Sequence, residues 1–216
     1  MLEKMNDFFA ARVDGYDEHM INNVEGCREG YKVRASLVPE TTIKILDLGC
    51  GTGLELDEIF KLHPDAEVVG IDMTAEMLSE LKKKHGDKKL NVICGDYFEE
   101  PFGSSVYDCV ISFETMHHFS KESKTELYKK IYNSLKKEGV YIECDYMIES
   151  DEEEEYFFSE LKRLKIQEGI DDNVICHFDT PCTVDNQIKM FCNAGFSQVT
   201  KHFRMGGTTI ITGVKQ

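Results

Sequence analysis

The sequence has no apolar run of about eighteen residues, the length that a helix needs to cross a bilayer. Its N-terminal segment carries acids throughout and lacks the apolar core of a signal peptide. We therefore expect a cytoplasmic protein without a membrane partner. A chain of 216 residues can form one sizeable domain that buries its core without disulfide bonds or metals.

Basic residues are also scarce, because 25 Lys and Arg stand against 40 Asp and Glu, for a formal net charge of −15. Nucleic-acid binding depends on clustered Lys and Arg that displace counterions from phosphates. The composition therefore argues against DNA, RNA and anionic membranes, and favours a small neutral or cationic molecule as the partner. No sequence feature indicates an oligomeric state.

None of the eight cysteines forms a Cys-X-X-Cys pair, and several lie within apolar runs of strand length. Free thiols in such runs are typical of buried positions in a reducing compartment. A zinc site can be drawn from Cys176, His177, Cys182 and His202, but their spacing matches no standard ligand pattern. We therefore expect no metal.

From residue 43 onward, apolar runs of strand length alternate with segments of helical spacing, which is typical of a mostly parallel sheet. The segment Lys121–Lys137 has the spacing of an amphipathic helix. The segments Gln198–Phe203 and Thr208–Lys215 alternate apolar and polar residues around two glycines, which predicts an antiparallel hairpin. The expected fold class is α/β, with a doubly wound, mostly parallel seven-stranded sheet and an antiparallel C-terminal hairpin.

The strongest local signal is Ile45–Gly53, ILDLGCGTG, in which an apolar strand ends in closely spaced glycines before a helix. Glycines let a ligand approach the backbone, and a helix N-terminus adds unpaired N–H groups. The dinucleotide-binding pattern is not met, since Leu54 takes the place of its third glycine, and the Lys-Ser/Thr of a Walker loop is absent. Asp47 would repel a phosphate but attract an ammonium group.

Two further acids follow the next two predicted strands. Asp72 ends the second strand, where a carboxylate can bind the two hydroxyls of a ribose. Asp96 follows the third strand and can accept a hydrogen bond from an adenine amino group, with Met73 and Tyr97 as flat or polarisable surface nearby. Each residue alone is equally well explained as a helix cap, a turn residue or a core residue. Acids after three successive strands indicate a ligand at the carboxyl edge of the sheet.

The segments LDLGCGTG, VVGIDMTAEML, CGDYFEEPF, YDCVISFETMHHF and LKKEGVYIECDY resemble, in sequence and in order, class I S-adenosylmethionine-dependent methyltransferases. The resemblance covers about residues 40–145 and implies that S-adenosylmethionine is the cofactor. It implies that Asp47 lies near the amino group of the cofactor and that Asp72 holds the ribose. The residues expected to bind the cofactor are Tyr16, Asp47, Gly49, Gly51, Asp72, Met73, Asp96, Tyr97 and Phe113.

The N-terminal segment Phe9–Met20 resembles the lid helix of methyltransferases that act on small molecules, which implies that Tyr16 lies over the methyl group. We predict a single domain over residues 1–216, with residues 1–40 as a helical lid and residues 145–182 as a helical insertion over the acceptor site. Aromatic residues of the insertion either line an acceptor pocket or pack in the core. These residues are Tyr156, Phe157, Phe158 and Phe178.

A general base is needed only if the acceptor must lose a proton before it attacks the methyl group. Candidate bases follow the fourth and fifth predicted strands. We prefer His118, because an imidazole titrates near neutral pH, although a histidine packed at a helix start is the alternative explanation. The other candidates are Glu114, His117, Glu143, Asp145 and Tyr146.

Three other functions compete with methyl transfer. Asp72 alone would permit an NAD-dependent dehydrogenase, but the glycine spacing and Asp47 argue against it. A non-catalytic protein that binds S-adenosylmethionine or S-adenosylhomocysteine is compatible with the sequence. A carboxylated S-adenosylmethionine derivative would need a nearby arginine, for which Arg12, Arg34 and Arg163 are available without lying in a recognisable motif.

Overall fold

The computed structural model describes residues 1–216. The helices are α1 (Met5–Ala10), α2 (Tyr16–Asn22), α3 (Cys27–Leu37), α4 (Leu54–Leu62), α5 (Ala75–His85), α6 (Lys121–Ser134), α7 (Asp151–Glu168) and α8 (Val184–Ala194), with a 3₁₀ turn at Met116–His118. The strands are β1 (Lys44–Leu48), β2 (Glu67–Asp72), β3 (Leu90–Cys94), β4 (Tyr107–Phe113), β5 (Leu135–Ile148), β6 (Cys182–Thr183), β7 (Ser197–Met205) and β8 (Thr208–Val214).

Seven strands form a continuous sheet in the order β3-β2-β1-β4-β5-β8-β7. Strands β1 to β5 pair in parallel, whereas β8 runs antiparallel to β5 and β7 runs antiparallel to β8. The short strand β6 pairs in parallel with the end of β5. The predicted seven-stranded α/β sheet with an antiparallel C-terminal hairpin is confirmed.

Two apolar clusters of 21 buried residues each cover the two faces of the sheet. Successive strand residues point to opposite faces, so Ile45 of β1 belongs to one cluster and its neighbour Leu46 to the other. Helices α3, α4 and α5 contribute to the first cluster, and α6 and α8 to the second. Each fully buried Leu or Ile side chain contributes about 1.5–3 kcal/mol through removal of apolar surface from water.

The predicted helix Lys121–Lys137 is too long at its C-terminal end, because α6 ends at Ser134 and β5 begins at Leu135. Leu135 keeps the burial that its helical spacing suggested, but it is extended and pairs with Tyr107 of β4. Lys136 also lies in this strand and binds Asp108 at 2.7 Å, so it does not stabilise a helix end. Leu135 would be buried either as a residue of the helix or as a residue of the strand. Its pairing with Tyr107 fixes the extended conformation.

The two segments predicted as covers differ in how they pack. Helix α3 of the first segment contributes Cys27, Tyr31 and Ala35 to the core cluster, so it is part of the domain body. In the second segment β5 continues to Ile148, and α7 begins after Ser150, whose hydroxyl accepts a hydrogen bond from the N–H of Glu153. None of the helices combines the length and the hydropathy that a membrane span requires.

Candidate active site

The glycine loop between β1 and α4 adopts a conformation that glycine favours. Gly49 and Gly51 have φ values of 70° and 45°, in the left-handed region. A Cβ atom on Gly49 would lie 2.8 Å from the Thr115 hydroxyl, whereas Gly51 has open space beside it. The backbone N–H of Gly49 donates to the carbonyl of Ile71 at the end of β2, which fixes the loop against the neighbouring strand.

A cavity, here called the inner cavity, lies at the carboxyl ends of the parallel strands. Seven of the nine predicted cofactor-binding residues line it, and Asp47 and Asp96 do not. The seven are Tyr16, Gly49, Gly51, Asp72, Met73, Tyr97 and Phe113.

Asp72 ends β2 with its carboxylate between two backbone donors. One carboxylate oxygen accepts from the N–H of Gly51 at 2.9 Å and the other from the N–H of Thr74 at 2.8 Å. Burial raises the pKa of Asp72, while these backbone hydrogen bonds favour the charged form and oppose the rise. Asp72 therefore lines the cavity wall and forms a turn before α5, whereas the N-cap residue of that helix is Thr74.

Two aromatic side chains of the inner cavity are held in place by neighbours. The Tyr97 hydroxyl lies 2.9 Å from the hydroxyl of Thr115, and Phe113 stacks on Tyr31 with ring centroids 4.0 Å apart. Both rings are more than nine-tenths buried. The walls of the cavity therefore have fixed shapes before any ligand arrives.

Asp47 is fully buried in β1 and does not line the inner cavity. No donor within the chain bonds its carboxylate. Burial raises the pKa of Asp47 to about 7, against the opposing positive charge of Arg34. Burial and the charge of Asp47 hold the pKa of Glu55 well above its ordinary value. The predicted approach of Asp47 to a cofactor amino group stays a prediction.

Asp96 forms a turn after β3. Its carboxylate accepts a hydrogen bond from the N–H of Phe98 at 2.8 Å, and its backbone carbonyl accepts from Glu99 and Glu100. The Asp96 carboxylate therefore stabilises a turn, which is one of the two roles that the sequence allowed. A contact between Asp96 and an adenine stays a prediction.

A second cavity, here called the outer cavity, adjoins the inner one. Helices α1 and α2, the segments after β4 and α7, Tyr146 of β5 and the turn between β7 and β8 line it. Four residues line both cavities and so mark the boundary between them. These boundary residues are Phe9, Tyr16, Glu114 and His118.

Histidines and carboxylates cluster where the two cavities meet. His117 Nδ1 lies 2.7 Å from Asp145 Oδ1 and 3.7 Å from Glu114 Oε2. Asp179 Oδ1 lies 3.5 Å from His117 Nε2 and 3.6 Å from His118 Nδ1. Both histidines are more than nine-tenths buried, whereas the side chain of Asp179 is 44% exposed.

The electrostatics of this cluster differ from one group to the next. Burial acts to lower the pKa of His117, but the Asp145 carboxylate outweighs it and raises the pKa to about 9. Burial raises the pKa of Glu114 to about 8. Burial and the positive charge of His117 hold the pKa of His118 well below its ordinary value. At neutral pH, therefore, His117 is the charged imidazole and His118 the neutral one.

The remaining candidate bases, Glu143 and Tyr146, differ in whether they line a cavity. Tyr146 lines the outer cavity, but Glu143 does not. Glu143 is buried among polar partners, and its carboxylate accepts from the Tyr128 hydroxyl at 2.7 Å and from the Tyr141 hydroxyl at 2.8 Å. Glu143 therefore belongs to the packing of the sheet against α6.

The aromatic residues of the insertion do not line the cavities, and for Phe158 the alternative of core packing holds, because it packs against the second apolar cluster. None of the four proposed aromatic residues lines either cavity, and Tyr156 is 60% exposed. Phe8 and Phe9 of α1 line the outer cavity instead, and Phe8 stacks on His177 with ring centroids 3.4 Å apart. The pair of phenylalanines near the N-terminus was the available signal, whereas the sequence indicated His177 only as part of a zinc pattern and gave no sign of Asp179.

The two predicted covers are joined by backbone hydrogen bonds. The N–H of Met5 donates to the carbonyl of Ile175, and the N–H of His177 donates to the carbonyl of Glu3. Helix α2 is fixed separately, because Asp17 accepts from the Thr52 hydroxyl at 2.5 Å and binds Lys84. The N-terminal helices and the segment after α7 therefore form one wall over the cavities.

Comparisons with known proteins agree with this arrangement. Residues 45–139 match the family model of a methyltransferase domain. The carboxy-S-adenosyl-L-methionine synthase of Nautilia profundicola is 24% identical, over 94% of this chain and 92% of that protein. The malonyl-[acyl-carrier protein] O-methyltransferase of Priestia megaterium is 36% identical, over 45% of this chain but only 34% of that protein.

Among solved structures, a putative O-methyltransferase from Nostoc punctiforme superposes with a TM-score of 0.72 and 23% identity, covering 98% of this chain and 61% of that chain. That similarity concerns the fold, and the matched methyltransferase domain adds the family. With the glycine loop, the inner cavity and these relatives together, residues 45–139 form a methyltransferase domain, and the chain as a whole resembles class I S-adenosylmethionine-dependent methyltransferases.

Proposed function

We propose that the inner cavity binds S-adenosylmethionine and that the outer cavity binds a small-molecule methyl acceptor. The observation that carries this proposal is the boundary shared by the two cavities, where Tyr16, Glu114 and His118 face both. A displacement at a methyl group needs donor and acceptor in line, and positioning them lowers much of the barrier. Two adjoining cavities with a common opening provide that arrangement.

The residues that line the inner cavity suit S-adenosylmethionine. Gly49 and Gly51 leave the backbone bare, Asp72 presents a carboxylate at the ribose position, and Tyr97 offers an aromatic face. Bound S-adenosylmethionine supplies an electrophilic methyl group on a positively charged sulfur. Carboxylates around the cavity favour a positive charge of this kind over a phosphate.

His118 is our candidate for the residue that accepts a proton from the acceptor. It lies at the boundary of the two cavities with a neutral imidazole, which has a free site for a proton, although its lowered pKa makes it a weaker base than an ordinary histidine. The neighbouring His117 is held in the charged form by Asp145, so it orients and balances charge instead.

The lining of the outer cavity supports a small neutral or cationic acceptor rather than a nucleic acid. Arg12 is the only Lys or Arg side chain that lines either cavity. Its guanidinium already binds both carboxylate oxygens of Glu3, at 2.9 and 3.0 Å. The eight free cysteines agree with the reducing cytoplasm as the location.

Synthesis or use of a carboxylated S-adenosylmethionine is the second candidate, favoured by the carboxy-S-adenosyl-L-methionine synthase that matches over 92% of its length. An added carboxylate needs a free cation beside the sulfur. Arg12 is paired with Glu3, Arg34 is buried in α3 outside both cavities, and Arg163 pairs with Glu160 on the exposed side of α7. Ordinary methyl transfer therefore fits the site better.

Mass spectrometry distinguishes these functions directly. We expect the purified protein, incubated with S-adenosylmethionine and a panel of small hydroxyl and amine compounds, to form S-adenosylhomocysteine together with a methylated acceptor. Omission of the panel should abolish both products. Carboxy-S-adenosylmethionine as the bound or released nucleoside would instead establish the second candidate, and binding without turnover across the panel would favour a non-catalytic protein.

A further inference from the structure

We propose that His117, His118 and Asp179 form a binding site for one divalent transition-metal ion at the floor of the outer cavity. Each residue offers one donor atom, and the three donor atoms lie within 4.8 Å of one another. The Asp179 oxygen is 3.5 Å from His117 Nε2 and 3.6 Å from His118 Nδ1. Ligand atoms about 2.1 Å from a common ion are about 3.0–3.5 Å apart, so small side-chain shifts complete the site.

The surroundings of the three donor atoms resemble those of built metal sites. Histidine ligands commonly donate their second ring nitrogen to a carboxylate, which orients the ring and makes it a better ligand. His117 has this arrangement, because its Nδ1 lies 2.7 Å from Asp145, which is 1% exposed. The Nε2 atom of the same ring lies 3.5 Å from Asp179 Oδ1, and a metal ion bound there would displace the proton that Nε2 carries in the charged ring.

His118 has little other structural reason for its buried position. Its one hydrogen bond within the chain is a long contact of 3.5 Å between Nδ1 and the carbonyl of Phe178. A buried polar atom with so weak a partner calls for a ligand or water.

Charge points in the same direction. Three acidic side chains, Glu114, Asp145 and Asp179, lie within 4 Å of the two imidazoles, and such surroundings favour a bound cation. Two imidazoles with one carboxylate suit Fe²⁺, Co²⁺ or Zn²⁺ better than Mg²⁺ or Ca²⁺, which prefer oxygen ligands. The expectation of no metal rested on cysteines and histidines that are not grouped in the structure, and His202, for example, bonds Thr212.

The ion would retain open positions, since all three ligands line the outer cavity and no fourth ligand is part of the cluster. If the proposed methyl transfer is correct, an acceptor with an oxygen donor atom would complete the coordination next to the boundary with the inner cavity. His118 would then serve as a ligand rather than as a base.

Cobalt titration of the metal-free protein tests the site without any activity measurement. After removal of metals with a chelator, we expect one Co²⁺ per chain by calorimetry, with visible absorption bands of a protein-bound ion. His118→Gln and Asp179→Asn should each weaken Co²⁺ binding at least about tenfold, because each removes a ligand. His19→Gln, which changes a histidine of the same cavity outside the cluster, should leave the affinity unchanged.

Titration of each variant with S-adenosylmethionine monitors the fold and the inner cavity separately. Asp179→Asn is the more robust variant, because that side chain is partly exposed. Failure of the folded wild-type protein to bind Co²⁺ would overturn the metal site, as would equal affinity in the wild type and both variants. Cobalt binding without binding of S-adenosylmethionine would leave the metal site standing and overturn the proposed function instead.

Discussion

Gly49 and Gly169 both have a positive φ, of 70° and 65°, but their surroundings differ. A Cβ atom on Gly49 would meet the Thr115 hydroxyl at 2.8 Å, whereas a Cβ atom on Gly169 would meet nothing within 4 Å. Replacement by alanine costs about 1 kcal/mol of backbone strain at either position. We therefore expect Gly169→Ala to lower stability without a change in cofactor binding. Gly49→Ala should lower stability further and should also weaken cofactor binding.

Denaturant unfolding and calorimetric titration of both glycine variants check this difference. The wild-type chain serves as the reference, and Gly169→Ala is the matched control for left-handed strain. Equal affinity for S-adenosylmethionine in both variants would show that the inner cavity does not depend on close packing of Gly49 against Thr115.

Asp47 and Glu55 should make the folded protein less stable as the pH rises, because both carboxyl groups have raised pKa values. A carboxyl whose pKa is raised in the folded state holds its proton more tightly there than in the unfolded chain. Its contribution to stability is thus greatest below the unfolded pKa of 3.8 and is lost as the pH rises through the folded value of about 7. One pKa unit corresponds to about 1.4 kcal/mol, so the loss is about 4 kcal/mol at most.

Urea unfolding at intervals between pH 4.5 and 7.5 measures this loss. Glu55→Gln removes one carboxyl and offers Asp47 a hydrogen-bond donor, so we expect the variant to lose less stability than the wild type over this range. Glu58→Gln changes a glutamate on a more exposed side of the same helix and should follow the wild type. An identical pH dependence of stability in all three proteins would contradict the attribution of this dependence to Asp47 and Glu55.

At the scale of elements, the alternation of apolar runs was sufficient to predict the sheet, because the central parallel strands β1 and β4 are buried on both faces. The glycine loop was equally clear, since few structures other than a ligand site need closely spaced glycines between a strand and a helix. The end of α6 was not predictable to the residue, because Leu135 is buried in either conformation and only its pairing with Tyr107 distinguishes them.

The sequence did not predict the contacts within the wall over the cavities, which the N-terminal helices and the segment after α7 form. Asp179 belongs to a segment between α7 and β6 without regular periodicity, and it reaches His118 only through tertiary packing. Phe8 likewise contacts His177, which is distant in sequence. Local patterns carry no information about such pairs, so the sequence predicted a lid but not the residues that form it.

At the scale of the whole molecule, the site follows from the strand order. The order β3-β2-β1-β4-β5 reverses between β1 and β4, and a parallel sheet opens a crevice at such a point beyond the carboxyl ends of its strands. Gly49 after β1 and Glu114 after β4 flank this crevice. The net charge of −15 adds a field that attracts cationic ligands such as a sulfonium.

The central claim is that the inner cavity binds S-adenosylmethionine through Asp72, and calorimetric titration of S-adenosylmethionine and S-adenosylhomocysteine tests it most directly. Loss of a charge-assisted hydrogen bond costs about 1.5–3 kcal/mol, so Asp72→Asn should bind both ligands roughly 10- to 100-fold more weakly. Asp108→Asn is the matched control, because Asp108 also accepts from two backbone N–H groups but lies at the amino end of β4, away from the cavities. Wild-type binding that falls in Asp72→Asn and persists in Asp108→Asn is the predicted result. A folded wild-type protein that binds neither ligand, or an Asp72→Asn variant with wild-type affinity, would contradict the account.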